Sequence, residues 1–519
     1  MGGLRKAIGL LLTAVAYLDT PAVQDLAAGN RGLFYRGLDV RLDLAILYVR
    51  TSQIELALTT LEHINARFWV PELSTLLPGE ILARLEKEPR MQALLKVSRI
   101  PEGLYGNKAL TGAYKPTLSS AERAAGVSIF WQQVRSEFAY FDNVADLDWS
   151  QTYLKFLEKV ETTTTTEEYY RTLMQLAPLL RDGHTNIYPP SQLESKFFAR
   201  PPLQTALIEN KILVTRIDSA KLGSLVNVGD EIMEIDGTQV RSYAEAYIDP
   251  FVSSSTPQDR LVRQYSYQLL QGDENKAVKL QLKSQAGVIR EAILPRKGYD
   301  DFVSPTTFDF RLLDGNIAYI SVDHFESEAA VQAFQRSFPK MLESRALIID
   351  VRNNGGGSTS YGRRILGHLT NEPIPVPNSY SRGDNGLSRN SSTSIEWKPL
   401  INGRGPERGT RKIVFGGPVA VLIGSKTFSA GEDFVAAFQT LGRGKTIGSA
   451  TGGSTGQPIL VQLPGGGMGR ICAKRDTFAD GKSFVGKGLM PTIQVVQTVA
   501  DIYQRRDTVL ERAIAELRR

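Results

Sequence analysis

The chain has 519 residues, too many for a single hydrophobic core, so two to four domains are expected. Its 42% hydrophobic and 22% charged content are ordinary for a globular protein. A net charge of +6, from 61 basic and 55 acidic residues that form no single block, gives no reason to expect a nucleic-acid partner. Cys472 is the only cysteine, which excludes an intrachain disulfide. The four histidines (His63, His184, His324 and His368) form no zinc-type cluster with it.

In chain order, Arg5 and Lys6 precede an apolar run over residues 7–18, and Ala14-Val15-Ala16 has a small-x-small form. The pattern fits a secretory signal, which implies a periplasmic or secreted protein. It equally fits the first amphipathic helix of a cytoplasmic one. No other stretch is long and apolar enough to span a bilayer, so no stable transmembrane span is expected. Residues 1–110 read as a helical N-terminal region, with 3.6-type spacing over residues 41–48 and 54–61. The second of these resembles half of a tetratricopeptide hairpin.

Residues 111–198 continue helical. The polar break at residues 162–166 predicts an N-cap before Glu167. The helix after it runs through Leu173, Leu176 and Leu180 and delivers the chain to Asp182-Gly183-His184-Thr185. A preceding glycine and polar flanks set His184 apart from a histidine on an apolar face. Residues 199–297 change to strand character. Residues 211–217 alternate, and residues 229–237 close on an Asp236-Gly237 turn. This block resembles the Gly-Asp-x-Ile-x-x-Ile-(Asp/Asn)-Gly segment of PDZ domains, which implies peptide binding by strand addition. No Gly-Leu-Gly-Phe-type carboxylate loop is present. A helix-like insertion at residues 256–271 is expected to cover part of the groove.

Residues 298–519 alternate strand and helix, which predicts an α/β core. Strands fall at residues 316–322, 346–351 and 418–424, with helices at residues 329–342 and 433–438. The Gly/Ser/Asn-rich residues 379–394 read as a surface loop. Two segments stand out. In Thr427-Phe428-Ser429-Ala430-Gly431-Glu432, Ser429 sits where a buried strand turns into a helix, beside free helix N–H groups. That suits a nucleophile that must stabilise an oxyanion, although Ser429 with Glu432 also fits a plain capping box. The second, Asp350-Val351-Arg352-Asn353-Asn354-Gly355-Gly356-Gly357, ends a buried strand in three glycines that leave N–H groups open. No Gly-Lys-Ser/Thr follows, which argues against a phosphate loop.

The His184, PDZ-like, Asn-x-Gly-Gly and Ser429 motifs, in this order, resemble the C-terminal processing peptidases and tricorn-core serine peptidases. The resemblance covers residues 115–515 and takes in Gly486-Lys487-Gly488-Leu489-Met490-Pro491. It implies an α/β (α+β) multidomain protein. Its residues 298–519 form a ClpP/crotonase-like protease core, with the PDZ-like block at 199–297 and the His-bearing helices at 111–198. The implied activity is that of a serine endopeptidase on protein or unfolded polypeptide substrates. Ser429 is then the nucleophile, and the N–H groups of Ala430 and Gly356 hold the oxyanion. The resemblance implies no metal and no organic cofactor, and leaves a homo-oligomer open.

One branch of the family uses a lysine twenty-five positions after the serine. Ser454 stands there, and Lys445 lies outside that motif. The other branch uses the upstream histidine, retained as His184, which makes His184 the expected base. The glutamate that would orient it is replaced by Val485. Asp476 is the substitute acid, with an ordinary strand-end ion pair as its alternative role. A non-catalytic ligand- or peptide-binding scaffold on the same fold is the competing function.

Overall fold

From Gly2 to Ser98 the chain is built from helices, in a structure, a computed structural model, that describes residues 2–68, 73–98, 110–383, 396–400, 413–478 and 480–519. The chain divides into two units, Met1–Lys108 and Ala109–Arg519. In the first, α1 (Gly2–Leu18), α2 (Pro21–Gly29), α3 (Arg31–Arg50) and α4 (Ile54–Phe68) precede α5 (Leu73–Leu76), α6 (Gly79–Leu85) and α7 (Pro89–Ser98). Leu44, Ala45 and Val49 of α3 share a core with Leu58, Leu61 and Ile64 of α4, the faces that the 3.6 spacing selects. The apolar residues 7–18 lie in α1, and Ile8 joins that core. Among the described residues no single helix is long and apolar enough to cross a membrane.

The second unit opens with α8 (Ser120–Glu137), α9 (Trp149–Glu161) and α10 (Thr166–Leu173). Thr165 caps α10 and forms a capping box with Glu168. The helix does not run on to Leu180. It stops at Leu173, and a 3-10 turn, Ala177–Leu180, carries Pro178. Proline lacks the N–H that a continuing helix needs and disfavours helical geometry in the residue before it. Arg181 then adopts φ 48°, and the chain turns into β1 (Asn186–Tyr188) with His184 in the connection.

An antiparallel sheet follows: β2 (Leu203–Ile208), β3 (Lys211–Ile217), β4 (Glu231–Ile235), β5 (Thr238–Gln239), β6 (Val278–Lys283) and β7 (Ile289–Leu294). Its order is β2-β3-β4-β6-β7, with β5 on β4. Leu203, Val214, Ile232, Ile235, Leu280 and Leu294 give it a core of its own. Between β5 and β6 the chain forms α11 (Pro257–Val262), capped by Thr256, which widens into a π-type turn over Arg263–Gln268.

The remaining chain builds the main sheet. Its early elements are β8 (Phe308–Leu313), β9 (Ile317–Val322), α12 (Ala329–Leu342), β10 (Ala346–Asp350) and α13 (Thr359–Leu366). Next come β11 (Asn378–Arg382), β12 (Trp397–Pro399), β13 (Val419–Ile423), α14 (Ala430–Thr440) and β14 (Lys445–Gly448). The chain ends with β15 (Pro458–Gln462), β16 (Met468–Cys472), β17 (Lys474–Thr477), β18 (Ile493–Gln494), α15 (Val499–Gln504) and α16 (Thr508–Arg518).

The main sheet has the order β18-β14-β13-β10-β9-β8, parallel except for the edge strand β8. Side chains alternate across it. Leu347, Ile349, Val421 and Ile423 meet Phe334 of α12, Ile365 of α13 and Phe434 of α14. Ile348 and Leu422 face the other way, onto Val509, Ala513 and Leu517 of α16. Burial on both faces explains why these strands read as unbroken apolar runs. Two small sheets flank it, β1-β16-β15 and β12-β11-β17. The loop expected at residues 379–394 is in part a strand: Ser379 to Arg382 belong to β11, paired with β17. Residues 384–394 lie outside the described residues.

Candidate active site

The Gly-rich turn and the Ser429 turn leave the carboxyl ends of adjacent parallel strands, where Asp350 of β10 pairs with Leu422 of β13. Loops at that end of a parallel sheet are where such folds place ligands. Two bonds tie the turns together: Thr427 Oγ1 donates to the Val351 carbonyl (2.7 Å), and Phe428 N–H to the Asn354 carbonyl (2.9 Å). Ser429 sits there at φ 55°, ψ −124°. A positive φ is costly for a residue with a Cβ and persists only where its surroundings fix it.

Ser429 occupies the N-cap position of α14, yet its side chain caps nothing. A capping residue has extended φ/ψ, and φ 55° is incompatible with that. Glu432 does not close a capping box either. Its buried carboxylate accepts from Thr451 Oγ1 (2.5 Å), Gly453 N–H (2.9 Å) and Ser454 N–H (2.8 Å).

His184 is buried, and its Nε2 lies 3.0 Å from Ser429 Oγ. Its Nδ1 lies 2.7 Å from Ser454 Oγ. The ring stacks on Phe428, with centroids 4.7 Å apart. Asp182 Oδ1 accepts from the His184 N–H (3.0 Å) and from Thr185 Oγ1 (2.8 Å), which fixes the loop. The Ser454 carbonyl also accepts from Ser429 N–H (3.0 Å). One residue therefore touches both Ser429 and His184, and Glu432 holds that residue in place.

Asp476 does not orient His184. It is buried on β17, where it accepts from Ser379 Oγ (2.6 Å) and ion-pairs with Lys474 (3.0 Å). The Nδ1 position that it was expected to fill is taken by Ser454. Val485 is buried among apolar side chains. Lys445 is exposed at the start of β14, beside Ala420, the end of the sheet opposite to Ser429.

Of the two expected oxyanion donors, one is free. No described group accepts from the Ala430 N–H, the first of α14. The Gly356 N–H is instead donated to Asn354 Oδ1 (3.0 Å), whose amide in turn donates to the Val322 carbonyl (2.9 Å). Gly356 itself is required: φ is 110°, and a Cβ there would stand 2.6 Å from the Ser429 Cβ.

Burial holds the His184 imidazole well below its usual pKa, and the nearby charges of Arg470, Arg263 and Lys474 push in the same direction. The ring is therefore neutral at neutral pH. With Nε2 accepting from Ser429, Nδ1 carries the proton and donates to Ser454. Burial raises Glu432 to about 7, against the pull of its hydrogen-bond donors.

Sequence reasoning assigned no role in the site to Ser454 or Glu432, although the twenty-five-residue spacing had singled out position 454. The insertion at residues 256–271 lines the Ser429 cavity through Asp259, Val262, Arg263 and Tyr267, and the residues at its start brace the loops that carry His184 and Ser454. Ser255 Oγ accepts from Gly183 N–H (2.9 Å), and Thr256 Oγ1 donates to the Gly452 carbonyl (2.7 Å). Gln258 donates to the carbonyls of Thr451 (2.9 Å) and Lys487 (2.8 Å).

Ser429, His184 and Gly356 line one cavity of about 510 Å³. Residues 316–495 match Peptidase family S41, a span that holds Gly356, Ser429, Ala430 and Asp476 and leaves His184 upstream. The class of protein that the family match supports is a serine-type peptidase. Over those residues the chain is similar to that family, and the segment that carries His184 lies outside the match. Among solved structures, mature CPAF complexed with lactacystin is similar with TM-score 0.58 and 16% identity, over 74% of this chain and 96% of that one. The photosystem II D1 C-terminal processing protease gives TM-score 0.42 and 19% identity, over 72% and 92%. The tricorn protease gives 0.40 and 18%, over 77% and 37%. The CPAF likeness is one of fold.

Proposed function

We propose that Ser429 is the nucleophile and His184 the general base of an endopeptidase that cleaves extended polypeptide segments. The reading rests on one observation: His184 Nε2 stands 3.0 Å from a serine hydroxyl held at a strained strand-to-helix turn. Ser429 Oγ attacks the scissile carbonyl carbon as its proton passes to Nε2. The imidazolium then donates from Nδ1 to Ser454 and gives the Nε2 proton to the leaving amine. Water repeats the sequence on the acyl-enzyme. The Ala430 N–H serves the developing oxyanion, a donor of a kind worth about 3 kcal/mol. The Gly356 N–H joins it when Asn354 Oδ1 shares or releases that bond.

The antiparallel block β2–β7 supports a PDZ-like role. Its edge strand β7 exposes Ile289 and Ile293, and an extended segment added there gains main-chain hydrogen bonds. The test is labelling by a fluorophosphonate, read beside casein cleavage. Wild type should be labelled and active, and Ser429→Ala neither. Casein cleavage by Ser429→Ala at the wild-type rate would refute the assignment.

A further inference from the structure

The cavity around Ser429 carries two cations whose side chains have no ion-pair partner among the described residues. Lys426 and Arg470 line it with Ser429 and His184. Among the described residues, neither side chain makes a hydrogen bond or an ion pair, and Arg470 bonds only through the backbone of its strand. Lys426 faces the ring of Tyr267 at 5.7 Å. Its charged surroundings are mainly repulsive: Arg216 and Arg200 disfavour its charge, and Asp323 favours it. Burial comes first among these effects, and together they pull the amine down to about 8. Arg470, on β16 opposite Asn186 of β1, is close enough to His184 to disfavour its protonation.

Of the cavity's other charged side chains, two pair with each other and one carboxylate faces solvent. Arg263 is ion-paired with Asp259 at 2.8 Å and lies over the Phe428 ring. Glu326 is exposed. Both residues are half-buried, and holding Lys426 partly out of water without an ion-pair partner is costly, where a structural role would leave it paired. The same groups become favourable when a ligand brings the missing negative charge.

We propose that this cavity selects substrates by a carboxylate next to the scissile bond, with Lys426 and Arg470 as its specificity-determining residues. The inference rests on the peptidase reading of the site and adds the substrate class, acidic polypeptide segments. The carboxylate has two sources, an Asp or Glu side chain and the α-carboxylate of a chain end. Both offer two acceptor oxygens, which suit a guanidinium fork and a point-charge ammonium.

The experiment uses full-length Ser429→Ala protein, so that binding is read without turnover. Fluorescein-labelled decapeptides carry Glu, Gln or Lys at the central position, each with a free or an amidated C-terminus, and affinity is read by anisotropy. The expected result is binding about 10- to 100-fold tighter for a peptide with a carboxylate than for its neutral isostere, the range for charge-assisted hydrogen bonds. A Glu-over-Gln difference assigns the side chain, and a free-over-amidated difference assigns the chain end. Lys426→Gln and Arg470→Gln, each added to Ser429→Ala, should shrink the difference. Lys426→Glu should turn the preference towards the Lys peptide. Circular dichroism of each variant shows that it folds. Equal binding of Glu, Gln and amidated peptides overturns the proposal. Failure of the wild type to take up fluorophosphonate would instead strike the peptidase reading and leave this binding comparison unaffected.

Discussion

The Nδ1 of His184 lies 2.7 Å from the hydroxyl of Ser454, at the place where a triad has its acid. A hydroxyl fixes the tautomer and orientation of the ring, but it brings no negative charge to stabilise an imidazolium. Replacing it with Ser454→Ala should lower kcat about 10- to 100-fold, part of the 10²–10⁴ that general-base catalysis supplies. KM should change little. Steady-state kinetics on a fluorogenic peptide measure this, and an unchanged kcat would show that Ser454 is a bystander.

The pH profile follows from the depressed His184. The active form is the neutral ring, so activity rises as pH rises through the folded-state value and then levels. Burial first, then Arg470, Arg263 and Lys474, hold that value well below the ordinary 6.5. The acid limb of kcat/KM should therefore be centred below 6.5, with a plateau through neutrality. A limb centred above 8 that survives His184→Ala would point to a different base.

Glu432 is a buried acceptor for three donors, so Glu432→Ala leaves Thr451, Gly453 and Ser454 unsatisfied at once. Each orphaned buried group costs about 1–3 kcal/mol, so a loss of several kcal/mol is expected. Urea denaturation reads it. Glu432→Gln keeps the shape but has only one acceptor oxygen. It should unfold at lower denaturant than wild type and fall in fluorophosphonate labelling rate, because the loop carrying Ser454 is loosened.

Gly356→Ala should abolish activity without unfolding the protein. The new Cβ meets the Ser429 Cβ at 2.6 Å, and φ 110° is strained for any side chain. Loss of labelling at Ser429 with an unchanged far-ultraviolet circular dichroism spectrum is the expected pair of readings.

Thr256→Val removes both the N-cap of α11 and the 2.7 Å bond to the Gly452 carbonyl. Capping losses alone cost about 1 kcal/mol. Because the bond braces the loop that carries Ser454, kcat should fall by a similar factor on a short fluorogenic peptide and on casein. A loss confined to casein would assign the segment to substrate capture.

By itself the sequence determined most of the elements and the order of the motifs. Apolar runs marked β10 and β13 because strands buried on both faces need them. Helical spacing marked Ala329–Leu342 with its observed bounds, and Asp236-Gly237 marked the turn after β4. The turns that carry Ser429, Gly356 and His184 were legible because each sits in a local pattern whose backbone demands are written in neighbouring residues. The tertiary structure alone decided their partners. His184 and Ser454 are 270 positions apart, and a serine carries no local sign of what its hydroxyl will meet. Glu432 read as a helix cap because the Ser-x-x-Glu pattern is local, whereas its three donors come from a loop about twenty residues on. Asp476 was misread for the same reason: which buried base faces a buried acid depends on how β17 pairs with β11. Sequence spacing fixes backbone conformation within an element. Which side chains meet across elements is fixed only when the sheets and loops pack.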